Sequence, residues 1–84
     1  MVSVLSMDTK DFTAFQRALG RNLQTCRKRT GMSQEAAGEA VGLDRVSIGY
    51  IEQGRRAPKL KTLYALSIAY GVTLPELFTF TTEE

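Results

Sequence analysis

The twenty residues from Gln34 to Gln53 constrain this chain more tightly than any other stretch. Within them Ala37, Gly38, Gly42, Leu43, Ile48 and Ile51 occupy the fourth, fifth, ninth, tenth, fifteenth and eighteenth places. Ser33 and Asp44 are helix-capping residues, each just ahead of a short segment with apolar residues at helical spacing. Gly42 supplies the left-handed residue that a tight turn between the two segments needs. Gly38 lets two backbones approach where the helices cross steeply, and Leu43, Ile48 and Ile51 with Ala37 and Val41 form the underside of the pair. The spacing therefore predicts a short helix from Ser33 that stops at Gly42, and a second over about 44–53.

Helical spacing continues on both sides. Phe12, Phe15, Leu19, Leu23 and Cys26 recur at intervals of three and four, which predicts an amphipathic helix capped by Asp8 and ending near Thr30, after the basic turn Arg27-Lys28-Arg29. Leu60, Leu63, Tyr64, Leu66 and Tyr70 describe a fourth helix ending at Gly71, and Thr73-x-x-Glu76 is a capping box for a last turn from Leu74 to Phe78. No two-residue hairpin signal or sustained alternation occurs. The expectation is an all-α, compact five-helix domain over 11–78, with a lead-in over 1–10 and a tail over 79–84 that frays. A chain of 84 residues buries a small core, and sharing surface with a second copy would help it.

Charge is unevenly spread. Residues 17–61 hold ten basic side chains against four acids, a net +6, whereas the two ends together carry −4. A basic middle between acidic ends suggests a polyanionic partner, either nucleic acid or an anionic membrane surface, and charge alone does not choose. The chain has no histidine and one cysteine, which excludes an intramolecular disulfide and a Cys/His metal cluster of the usual ligand count. The opening Met-Val-Ser-Val-Leu-Ser-Met lacks a basic leader, and no apolar run approaches the roughly 20 residues that span a bilayer, so the expected location is the cytoplasm, with no membrane partner.

The pair of helices around Gly42 has the pattern of a helix-turn-helix unit, whose second helix enters the DNA major groove. From Leu19-Gly20 to Phe78 the chain resembles the lambda-repressor-like, Xre-type helix-turn-helix family. The motifs are Gly31-Met32-Ser33-Gln34-Glu35, Val41-Gly42-Leu43, Ile48-x-x-Ile51-Glu52-x-Gly54, Ala57-Pro58 and Gly71-Val72-Thr73-Leu74-x-Glu76-Leu77-Phe78. In size it is similar to the controller proteins of restriction–modification systems and to small phage repressors. The resemblance implies a five-helix fold and dimeric operator binding. It also implies that Gln34 meets a phosphate, and that Arg27 pairs with Glu52 to fix the recognition helix.

With Ile48 and Ile51 turned inward, Arg45, Val46, Gly49 and Tyr50 face outward with Ser47 beside them. Arg45, Val46, Ser47 and Tyr50 are the expected base readers: Arg45 for guanine O6 and N7, Val46 for a thymine methyl, Tyr50 for a base edge or a phosphate. The alternative for Arg45 is a phosphate contact that carries no sequence information, and for Tyr50 it is packing against the loop. Ser33, Gln34, Gln53, Arg55, Arg56 and Lys59 are the expected phosphate contacts. No catalytic constellation is present: there is no histidine base and no glycine-rich phosphate loop before Lys-Ser/Thr, and Cys26 lies on an apolar stripe. No cofactor is implied. The expected function is sequence-specific binding of double-stranded DNA by a homodimeric transcriptional regulator. A protein-binding role, as an antitoxin or adaptor whose DNA contact serves autoregulation, is the alternative. Ala65, Ile68, Leu74, Leu77, Phe78 and Phe80 are the expected dimer interface, and a second protein partner would use the same apolar surface.

Overall fold

A computed structural model describes residues 9–81. Five helices follow one another: α1 (Thr9–Thr30), α2 (Gln34–Val41), α3 (Arg45–Glu52), α4 (Leu60–Tyr70) and α5 (Leu74–Leu77). The domain is all-α, as the spacing predicts. α1 already begins at Thr9, inside the stretch read as lead-in, and the cap expected at Asp8 lies outside the described residues.

Local chemistry sets most boundaries. Ser33 Oγ accepts from the Ala36 amide at 3.0 Å, and Asp44 Oδ1 accepts from the Ser47 amide at 2.7 Å, so each hydroxyl or carboxylate satisfies an amide that the first helical turn leaves without a partner. Thr73 and Glu76 form the reciprocal box, with Thr73 Oγ1 accepting from the Glu76 amide and Glu76 Oε1 from the Thr73 amide. Gly42 ends α2 at φ 76°, a left-handed conformation that costs a side-chain-bearing residue about 1–2 kcal/mol.

The core draws on every helix: Leu19, Leu23 and Cys26 of α1, Ala37 of α2, Ile48 and Ile51 of α3, Leu63, Leu66 and Tyr70 of α4, and Leu77 of α5. α2 crosses the start of α3 so closely that a Cβ on Gly38 would strike the Leu43 carbonyl oxygen. A second close crossing lies between α1 and the end of α3, where a Cβ on Gly20 would meet the carbonyl oxygens of Ile51 and Glu52 at 2.5 Å.

Packing departs from the linear pattern at both ends. Leu60 and Tyr64, placed by periodicity on the apolar stripe of α4, stand outward at 74% and 58% exposure, because α4 meets the core through Leu63, Leu66, Ser67 and Tyr70. Leu77, expected on an intermolecular surface, is completely buried within the single chain. It closes the end of the core, and Leu74 and Phe80 pack partly buried against that core. Phe78 is half-exposed, but its ring stacks on Phe15 at 6.3 Å between centroids, and Phe80 lies 5.6 Å from the same ring. The α5 end of the chain thus joins α1 in an intramolecular aromatic cluster.

Candidate nucleic-acid interface

α3 is held by its cap at Asp44 and by Ile48 and Ile51, both almost fully buried, and these anchors leave one side of the helix to solvent. Arg45 is exposed there, with Val46 at 52% and Tyr50 at 43%. Ser47 lies half-buried beside them. Gly49 does not face outward as helical spacing alone suggested: it is buried, and the side chains of Gln34 and Gln53 cover it, at 3.7 and 4.0 Å from the place a Cβ would occupy. A residue with no side chain leaves a hollow on the helix surface, and long neighbours fill it.

The back of α3 is tied to α1 by charge. Arg27 Nε donates to Glu52 Oε2 at 2.6 Å and Nη2 to Oε1 at 3.1 Å, while Nη1 donates to the Met32 carbonyl at 2.9 Å. Both side chains are buried. Such a pair is costly to desolvate and adds little net stability over an apolar pair, but removing one partner strands the other charge in the interior. The Glu52 bond holds the Arg27 guanidinium above its ordinary pKa, so this buried cation keeps its charge throughout the physiological range.

Cations gather after α3. The Arg55 guanidinium lies 5.9 Å from the centre of the Tyr50 ring, and Arg56 Nη1 donates to Ser47 Oγ at 2.9 Å. The loop that carries them is pinned to α1, since Gln16 Nε2 donates to the Gly54 carbonyl at 2.7 Å. Sequence reasoning missed Gln16, because a glutamine 38 positions away carries no local signal of its partner. Gln53 and Lys59 are exposed at the two ends of this loop, and Lys59 precedes α4 without a side-chain cap. At the other margin, Ser33 is exposed with its oxygen engaged in the α2 cap, and Gln34 is half-buried with Nε2 donating to Glu52 Oε1 at 3.0 Å.

One face therefore joins the start of α2, the outer side of α3 and the loop to α4. It carries Gln34, Arg45, Val46, Ser47, Tyr50, Gln53, Arg55 and Arg56, while Lys59, at the far end of the loop, borders a hollow with Arg56, Val41 and Leu43. The Asp44 carboxylate at its edge is held below its usual pKa, chiefly by the bond from the Ser47 amide, and so keeps its charge as a cap. Cys26 is elsewhere, in the core, and burial pushes its thiol above the ordinary value, which suits an inert apolar residue.

Of the residues expected at a dimer interface, Leu77 is not on the surface at all, and the others differ in how far they are exposed. Leu74 and Phe80 lean on the core, and Phe78 belongs with Phe15. Ile68 is 64% exposed, and Ala65 is half-buried beside it. With Leu60 and Tyr64, Ile68 completes an apolar stripe at every fourth residue along the outside of α4. Neither Leu60 nor Tyr64 was assigned there from sequence.

Residues 23–77 match the helix-turn-helix family. The chain is 39% identical over 61 residues to the HTH-type transcriptional regulator PuuR of Escherichia coli (strain K12), covering 73% of this chain and 33% of PuuR, so it spans about a third of that relative's length. Control protein C.MunI of Mycoplasma sp. is 40% identical over 60 residues, covering 70% of this chain and 81% of that protein. Among solved structures, the restriction–modification controller protein C.AhdI from Aeromonas hydrophila superimposes with a TM-score of 0.69 at 32% identity, over 77% of this chain and 96% of that one.

Proposed function

Because this chain belongs to the helix-turn-helix family, we propose that it is a transcriptional regulator that binds a dyad-symmetric operator in double-stranded DNA as a homodimer. The single observation that carries this reading is the α2–α3–loop face. An exposed Arg45, Val46 and Tyr50 sit on a helix whose other side is buried, and Arg55 and Arg56 flank that helix through Tyr50 and Ser47. α3 enters the major groove, Arg45, Val46, Ser47 and Tyr50 read base edges, and Ser33, Gln34, Gln53, Arg55, Arg56 and Lys59 approach phosphates. Ser47 reads together with Arg56, which is bonded to it. Similarity to C.MunI and C.AhdI favours a controller of a restriction–modification system acting in the cytoplasm, and no helix among the described residues is long and apolar enough to cross a membrane. This reading gives the chain no enzymatic activity.

The dimer forms through the outside of α4. Leu60, Tyr64 and Ile68 are spaced evenly about Tyr64, so a two-fold axis through that residue sets each copy's Leu60 against the other copy's Ile68. This leaves the α2–α3 face free. Selection of binding sites from random double-stranded DNA, followed by footprinting, tests the reading: two inverted half-sites centred about 34 Å apart are expected. An absence of enriched sequences, or one asymmetric half-site occupied by a monomer, would refute it.

A further inference from the structure

Glu52 is the buried carboxylate of the described residues, and it makes one bond more than its ion pair requires. Oε2 takes the Arg27 Nε proton, and Oε1 takes a second Arg27 proton together with one from Gln34 Nε2 at 3.0 Å. That third bond runs outward, to a side chain on the DNA-facing margin of α2. A carboxylate accepts and never donates, so it is the nitrogen of the Gln34 amide that must turn toward Glu52. Because oxygen and nitrogen diverge from one planar carbon, Gln34 Oε1 is then directed away from Glu52, and one Nε2 proton is left over. The amide lies across Gly49, with Nε2 and Oε1 at 3.7 and 3.9 Å from the position of an absent Cβ, and Gln53 Nε2 borders the same spot. Arg27 offsets the carboxylate charge, so an anion can approach Gln34 without facing a bare negative group.

We propose that Glu52 is a positioning residue for DNA binding, acting through Gln34: it fixes the amide so that the remaining Nε2 proton is presented to a phosphate oxygen of the duplex. The inference rests on the DNA-binding reading above. A merely structural Glu52 would serve α1 and α3 alone and would be indifferent to what stands at position 34.

A double-mutant cycle on operator affinity separates the two. Glu52→Gln should weaken binding about tenfold in the otherwise unaltered chain, but about twofold or less in a Gln34→Ala background, where no amide remains to be oriented. Equal losses in both backgrounds would overturn the proposal while leaving the DNA-binding reading intact. A wild-type chain that binds no DNA would overturn both. Since Glu52→Gln leaves Arg27 buried beside a neutral amide, that variant can fail to fold, and a measurement on the unaltered protein then decides. Side-chain amide protons of Gln34 should exchange with solvent several-fold more slowly than those of exposed Gln53, and matching rates would reject the bond on which the proposal stands.

Discussion

At the scale of single residues, the candidate interface separates side chains that are free to read from side chains that position. Arg45 projects from the first turn of α3, where a guanidinium can give two bonds to guanine. Arg45→Ala should cost about 1–3 kcal/mol on a selected site and largely spare random DNA. Arg55 lies in the loop beside Tyr50, so Arg55→Ala should weaken both kinds of DNA alike and make affinity less steeply dependent on salt. Filter binding across a salt series distinguishes them, and identical behaviour of the two variants would undo the assignment. Tyr70 makes a different prediction. Burial, reinforced by the nearby Glu52 carboxylate, pushes its phenol up to about 12 from 10. The folded chain therefore holds this proton more tightly than the unfolded chain does. Its contribution to stability is complete below pH 10 and is lost as pH rises from 10 toward 12. Tyr70→Phe should show a shallower decline in melting temperature across that window. Parallel declines in the two proteins would mean that the phenol does not govern it.

At the scale of helices, the close crossing of α2 and α3 decides how the recognition helix is presented. Glycine inside a helix is worth about 1 kcal/mol less than alanine, so helix propensity alone would favour Gly38→Ala. Against this, the new Cβ would strike the Leu43 carbonyl and come within 3.2 Å of the Asp44 backbone, where no flexible side chain can yield. Overpacking of this kind costs about 1–3 kcal/mol and moves backbone. Urea unfolding should show Gly38→Ala to be less stable than the unaltered chain, and DNA affinity should fall as the Asp44 cap shifts. A gain in stability would show the crossing to be looser than the structure has it.

At the scale of the whole molecule, two apolar residues that sequence reasoning assigned to one interface should fail in different ways. Ile68 stands outside α4 at 64% exposure, whereas Leu77 is fully enclosed. In the proposed dimer Ile68→Asp would bring a carboxylate into an apolar contact on each copy, while the folded monomer would tolerate it in water. That variant should sediment as a folded monomer at micromolar concentration with greatly reduced operator affinity. Leu77→Ala instead opens a cavity in the single-chain core and should lower folding stability by about 2–5 kcal/mol. A persistent Ile68→Asp dimer would move the association surface elsewhere, with the Phe12 and Phe15 end of α1 the next region to test.

The sequence by itself determined where α2, α3 and α5 begin and where α2 ends. Ser33, Asp44, Thr73 and Glu76 act on amides within three residues of themselves, and the Gly42 turn needs a left-handed residue whatever packs around it. It also determined that Ile48 and Ile51 point inward, and hence that Arg45, Val46 and Tyr50 do not, because α3 has polar residues to contrast with its apolar ones. Gly49 escaped that logic, since a residue without a side chain takes its burial from whatever lies over it. Only the tertiary structure decided which side of α4 is core. Leu60, Leu63, Tyr64, Leu66, Ile68 and Tyr70 make that helix apolar nearly all round, so periodicity has no polar face against which to choose. The choice between Leu77 as core and Ile68 as surface was decided in the same way, by how α1, α2 and α5 close around α4. So were the bonds from Gln16 to Gly54 and from Gln34 to Glu52, which join residues 38 and 18 positions apart through contacts that exist only once the helices have packed.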